Sequence, residues 1–327
     1  MRLATEAGDR ETAVTAYREL GFVEVQAGRR QTAEAWLARA EEAASSDVEL
    51  AAVLGVRGMN ASDMGDYPAA FQHLRASVER ARRGGDPRQQ AWSLSILARA
   101  HLLRDERSQA AVAVADSLEL VRTERWMAFL PWPEALKGEL DLRAGRVEDA
   151  AAQLEHAWAL ACHLDDPCWE GMAARALGLL SAARGDRAGA TAWLSEAHIR
   201  CTRTTDRYQW VSAHVLDAVV GAALDDHDEA EAARLVDALA SLAAGRHAGA
   251  GGPRPPASQQ PRRPVGAGHR AAAGHRHRQS GPRPAARRPS PGELRSTRDA
   301  GSPAPPSGCR RGRRRTRTGP RGTPGPR

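Results

Sequence analysis

The chain has 327 residues, with 47 Lys or Arg against 40 Asp or Glu, 42% hydrophobic residues and only 4 cysteines. No apolar run approaches the roughly 18 residues that a spanning helix needs, and the first residues lack a basic stretch followed by an apolar one, so neither a membrane span nor a secretory leader is expected. Cys162, Cys168, Cys201 and Cys309 follow no framework spacing, which predicts reduced thiols in a cytoplasmic protein with no disulfide scaffold.

Taken in chain order, a pattern recurs. The stretch "AGRRQTAEAWLARA" (27–40) places Gly28, then Ala33, then Leu37, then Ala40. It returns as "MGDYPAAFQHLRAS" (64–77), more weakly as "RDERSQAAVAVADS" (104–117), and again as "AGRVEDAAAQLEHA" (144–157) and "RGDRAGATAWLSEA" (184–197). A weaker final copy is "LDDHDEAEAARLVD" (224–237), and in the two weak copies Asp105 and Asp225 stand in place of the glycine. The anchors Ala33, Ala70, Ala110, Ala150, Ala190 and Ala230 are spaced 37, 40, 40, 40 and 40 residues apart. Twelve residues before each stands a small residue: Gly21, Gly58, Ala98, Gly138, Gly178 and Ala218.

A fixed period of this length belongs to stacked repeats, each one a supersecondary unit that buries its apolar face against its neighbours. The pattern predicts two helices per unit, A and B. Glycine supplies the left-handed stop of helix A, and acids such as Asp66, Glu148 and Asp149 suit the start of helix B. The small residues of helix A let helix B approach, with Leu37, Leu74, Leu154 and Leu194 filling the space beside them. "LDDPCW" (164–169) and "GGDPRQQ" (84–90) carry a second grammar, an Asp cap followed by Pro in the first turn.

On these residues the chain resembles a tetratricopeptide repeat array. In the first unit Tyr17 takes the usual Trp place, followed by Leu20-Gly21, Ala33, Leu37 in the usual Phe place and Ala40. Two departures stand out: the period is about 40, and the helix-breaking Pro at unit ends gives way to Ser45, Arg82 or Cys162. The resemblance implies an all-α, right-handed superhelical solenoid of about six helix pairs over residues 1–244. The array is most similar to those inside large ATP-binding, LuxR-type bacterial transcription regulators, through stretches such as "LGVRGMNASDMGDY" (54–67) and "LACHLDDPCWEGMAARALGLL" (160–180).

Such regulators carry a P-loop ATPase and a helix-turn-helix. Lys137, the single lysine, stands in "EALKGEL", so no phosphate-cradling loop is present. Residues beyond 245 offer only Val265 and Leu294 as branched aliphatics, too few for a packed DNA-reading domain. "CHLDDPCW" (162–169), with His198 and Cys201 one repeat on, holds residue types that ligate zinc, but no CxxC pair occurs, and packing between repeats is the expected role. No cofactor and no catalytic constellation is expected.

Trp92, Trp132, Trp169 and Trp210 recur about one repeat apart near the starts of A helices. Helical spacing aligns Trp92, Ser95, Arg99 and Leu102 on one face, and Trp132, Ala135, Glu139 and Leu142 on another. In arrays of this kind that face lines the concave groove. Trp92, Arg99, Trp132, Glu139 and Arg175 are therefore the candidate binding residues, suited to a protein segment, a peptide or a small effector. The competing role for the tryptophans is inter-repeat core.

Residues 1–244 carry 27 Arg or Lys against 38 acids, a formal charge of −11, whereas residues 245–327 carry 20 against 2, or +18, with 15 of the 20 prolines. That composition predicts a disordered tail. Its arginines would bind nucleic acid without sequence preference and in a salt-sensitive way. Equally, Arg, Pro, Gly, Ala, Ser, Thr and Cys make up 72 of its 83 residues, the set that GC-rich coding DNA yields when read out of frame. The functional expectation is a non-enzymatic interaction or effector-sensing scaffold, a detached piece of a LuxR-type regulator without its ATPase and helix-turn-helix. The alternatives are a standalone adaptor that clamps a partner peptide in its groove, and nucleic-acid binding through the tail.

Overall fold

The computed structural model describes residues 10–205 and 207–245. These form twelve α-helices in six consecutive pairs, with no strand among the described residues. The pairs are α1 (Arg10–Gln26) with α2 (Arg30–Ala43), α3 (Asp47–Met64) with α4 (Tyr67–Gly84), and α5 (Pro87–Leu103) with α6 (Arg107–Thr123). They continue as α7 (Pro131–Arg143) with α8 (Val147–Leu164), α9 (Pro167–Ala183) with α10 (Arg187–Thr202), and α11 (Gln209–Asp225) with α12 (Glu229–Gly245). The expected tail, and with it the choice between a basic arm and an out-of-frame segment, lies outside the described residues. No helix among them is long and apolar enough to cross a membrane.

Local chemistry sets the pair geometry. Between helices A and B the chain turns through a left-handed residue, Gly28, Gly65, Gly145 or Gly185 in four pairs and Asp105 at φ 59° in the third. Asp66 and Asp186 then cap the following B helices, accepting from the backbone N–H of Ala69 and Gly189. Asp86 and Asp166, each followed by Pro, cap the A helices α5 and α9. Ser46 and Glu49 form a reciprocal capping box at α3, satisfying two amide donors that a helix start otherwise leaves unpaired.

Within four of the pairs a glycine on A meets a leucine on B. A Cβ added at Gly21, Gly58, Gly138 or Gly178 would lie 2.6, 2.5, 2.5 or 2.8 Å from the Cγ of Leu37, Leu74, Leu154 or Leu194. All four leucines are buried, each contributing about 1.5–3 kcal/mol. In the third pair Ala98 replaces the glycine, and the corresponding B position holds the shorter Val114, so the summed volume is conserved.

The sixth pair departs from the expected register. Its left-handed turn residue is His227 at φ 59°, and Asp225 is the last residue of α11. The anchor is accordingly Ala232, which is buried and donates to the Asp228 carbonyl as the other anchors donate to their cap residues, whereas Ala230 is exposed. The last interval is thus 42 residues: the connection between α10 and α11 is four residues longer than the two-residue link before α9, and α10 is two residues shorter than α8.

Each A helix also packs against the next A helix, while no two B helices pack to a comparable extent among the described residues. The A helices therefore line the inside of the curve.

Candidate functional site

The inner face is built by positions one and two helical turns apart on successive A helices. Asp63 on α3 meets Arg99 on α5, with Nη2 donating to Oδ1 at 2.6 Å. Glu139 on α7 meets Arg175 on α9, with Nη1 donating to Oε2 at 2.8 Å. Both pairs are separated by 36 residues, one repeat less one helical turn. Arg175 continues the ladder by donating from Nε to the His214 carbonyl of α11 at 3.1 Å. Arg143 adds a second guanidinium to Glu139 at 2.8 Å. Burial pushes the Glu139 carboxyl up, but Arg175, with His214 and Arg143, outweighs it and holds the pKa at about 2.

At one end of this ladder stands a denser centre. Asp63 accepts from Arg99, from Arg30 Nη1 at 2.9 Å, and from the Tyr208 hydroxyl at 2.8 and 3.0 Å. The same hydroxyl accepts from Arg99 Nη1 at 2.7 Å. Arg99 also lies over the Trp210 ring, 4.2 Å from its centroid, a cation–π contact strengthened by the lack of water around it. Tyr208 belongs to the α10–α11 connection, 145 residues from Asp63, so the far end of the array reaches back across the inner face to the second pair.

The aromatic residues cluster beside it. Trp132 packs on Trp169 at 5.2 Å and on Trp210 at 6.3 Å between centroids. Trp169 donates from Nε1 to the Ala128 carbonyl, and Trp210 stacks on His214. One repeat after Trp132 stands Met172, itself buried; Trp169 lies nearly one turn earlier, at a different register position.

Of the five residues singled out from the sequence, four are enclosed: Arg99 is 1% exposed, Trp132 2%, Glu139 3% and Arg175 5%. They share the inner face, as their helical spacing requires, but the chain's own aromatic and charged groups fill the space between them. Only Trp92 faces an open cleft. That cleft, of about 370 Å³, lies across α1, α3 and α5 and is walled by Phe22, Trp92 and Trp126. Trp92 meets Phe22 edge-on at 6.4 Å. Arg88 lies over Trp126, 5.8 Å from the ring centroid. Gly55 makes room for two of the lining residues: a Cβ there would stand 3.0 Å from the Trp92 ring and 2.6 Å from the Gln89 amide nitrogen.

The cysteine and histidine cluster has a packing role. Cys201 is buried against Gly171, where an added Cβ would come within 2.7 Å of its own Cβ, and burial raises its thiol to about 11. No group of three potential ligands converges among the described residues.

Neither a protein-family model nor a curated protein matches the chain. Solved structures do. The array is similar to "Rap Protein Complexed with Competence and Sporulation Factor" (TM-score 0.54, 13% identity, covering 72% of this chain and 77% of that one). It is similar also to "Aspartyl phosphate phosphatase F from Bacillus subtilis" (TM-score 0.55, 11% identity, covering 72% of this chain and 60% of that one). At these identities the likeness establishes the fold alone, an all-α array of tetratricopeptide-like helix pairs.

Proposed function

We propose that this chain is a non-enzymatic scaffold that recognises an extended segment of a partner protein, with the Trp92 cleft as its open recognition surface. The observation that carries the reading is the contrast between the two aromatic groups: Trp132 is sealed inside, while Phe22, Trp92 and Trp126 wall a cleft open to a side chain. Aromatic walls flanked by guanidinium groups are the usual anchors of protein recognition. Arg88 has no acidic partner among the described residues and lies over Trp126. The favoured segment therefore carries an apolar anchor, with a carboxylate set on the Arg88 side of a cleft that Glu19 and Asp86 also line. A solved likeness whose name includes a bound factor is itself a complex, which favours the same class of role here.

The non-enzymatic part of the reading is supported by the inner acids: Asp63, Glu134, Glu139, Asp141 and Glu170 each contact at least one Arg, Lys or His side chain. A cytoplasmic location is part of the same reading. Descent from a LuxR-type regulator is its narrower version, carried by the stretches at 54–67 and 160–180 alone.

Panning a random linear-peptide library against the full chain tests the proposal. A recurring motif with an apolar and an acidic residue is expected, and Trp92→Ala should lose it. Recovery of the same peptides by Trp92→Ala, or no enrichment at all, would overturn it.

A further inference from the structure

The polar centre at Asp63 is more elaborate than closure of a solenoid requires. An apolar contact between the second and sixth pairs would join them without desolvating charge, whereas here two guanidinium groups and a carboxylate are buried together: Arg30 is 9% exposed, Arg99 1% and the Asp63 side chain 0%. Replacing such centres by apolar packing is commonly neutral or stabilising, so stability alone does not account for this one.

Several of its donors are left over, as is one acceptor beside them, the Oδ1 of Asn60, whose amide nitrogen donates to the Arg30 carbonyl. Arg30 Nε and Nη2, Arg99 Nε and Trp132 Nε1 are all buried without a hydrogen-bond partner. Each such donor is a standing cost that an added acceptor would remove. The group that now enters the centre, the Tyr208 phenol, supplies one oxygen, accepting from Arg99 while donating to Asp63.

The connection that ends in Tyr208 stops at the N-cap of α11, where the Tyr208 carbonyl accepts from the Ser212 N–H at 3.3 Å. It is pinned at its start, where Arg203 donates to Glu170 and to the Asp165 carboxylate, and at its end by Tyr208. The phenol can leave Asp63 by rotation of its side chain alone, while the helix pairs on either side keep their own interlocks.

We propose that Tyr208 is a built-in occupant of a second recognition site: it fills, between Asp63, Arg99 and Trp210, the place taken by an aromatic side chain of a partner segment that also carries hydrogen-bond acceptors. The array thus competes with its own partner for the inner face. An incoming tyrosine reproduces the contacts to Asp63 and Arg99, and an adjacent carboxylate or main-chain carbonyl satisfies the orphaned Arg30 and Arg99 nitrogens. Because only the open fraction of molecules binds, the observed affinity is the intrinsic affinity reduced by that fraction. This inference is independent of the Trp92 cleft.

The experiment supplies the occupant from outside. A fluorescent synthetic peptide with the chain's own sequence 203–212, RTTDRYQWVS, is titrated into the full chain and its variants. Tyr208→Ala is expected to bind it at least about tenfold more tightly than the unsubstituted chain. Adding Asp63→Asn to Tyr208→Ala should abolish the gain, replacing the peptide's tyrosine by alanine should abolish binding, and Trp92→Ala should change nothing. Equal binding by the unsubstituted and Tyr208→Ala chains, or none by either, would overturn the proposal. Should Tyr208→Ala fail to fold, Tyr208→Phe keeps the ring and removes the hydroxyl. Hydrogen exchange is then expected to quicken at α3 and α11 while α6 to α8 stay protected, and a uniform rise across all helices would show a purely structural role.

Discussion

Along the seam inside four of the six helix pairs, glycine meets leucine; along the inner face, carboxylate meets guanidinium. The seam joins residues 16 apart in the chain, such as Gly58 and Leu74 or Gly138 and Leu154, through shape alone. The inner face joins residues 36 apart, as in Asp63 with Arg99, and in one case 145 apart, as in Asp63 with Tyr208. A seam contact is complete once its own pair has formed. An inner-face contact exists only after several pairs have stacked, so its charges are desolvated by tertiary structure and by nothing local.

That difference predicts which substitutions do the most harm. Asp63→Ala strips both Arg30 and Arg99 of their carboxylate, and breaking a buried pair from one side costs about 3–5 kcal/mol. Chemical denaturation should show this loss; a change no greater than that of an exposed-acid control such as Glu148→Ala would mean that the centre is open to water.

The second test uses pH. Glu139 has a pKa of about 2 in the folded chain against an ordinary value of 4.5. Its stabilisation is therefore fully present above about pH 5 and is lost as pH falls toward 2. The unfolding free energy should decline across that window, and Glu139→Gln should flatten the decline even though it lowers stability at neutral pH. An unchanged slope in Glu139→Gln would remove this residue from the acid response.

On the seam the expected effects are smaller and reciprocal. Val114→Leu overfills the third pair, where Ala98 already occupies the small-residue place, at a cost of about 1–3 kcal/mol. Combining it with Ala98→Gly recreates the Gly–Leu pairing of the neighbouring repeats and should recover most of the loss in a double-mutant cycle. Additive penalties would show that the two positions do not share one space. Smallest is Gly221→Ala in α11, where an added Cβ meets nothing within 4 Å. There the helix should gain about 0.5–1 kcal/mol, seen as a raised melting temperature.

The seam was legible from the sequence because it recurs at fixed spacing on one strand of text. Gly21, Ala33, Leu37 and their counterparts define the pairs, their turns and their order. Departures followed where that spacing loosened: the lengthened link after α10 moved the last anchor from Ala230 to Ala232. The inner face was half legible. Helical spacing placed Arg99 with Trp92 and Glu139 with Trp132, yet the enclosure of Arg99, Trp132, Glu139 and Arg175 depended on how tightly the A helices curve. Asp63 escaped notice although a signal existed, since it precedes Arg99 by the same 36 residues that separate Glu139 from Arg175. For Tyr208 no local pattern pointed across 145 residues.

The sequence by itself determined the repeat, the helix pairs and the seam that locks them, because backbone turn preference and the fit of small against large side chains act between residues close in the chain. Tertiary structure alone decided which inner residues face solvent and which face one another. Superhelical curvature sums small rotations over six pairs, and only that sum carries Tyr208 to Asp63 while leaving Trp92 at an open cleft.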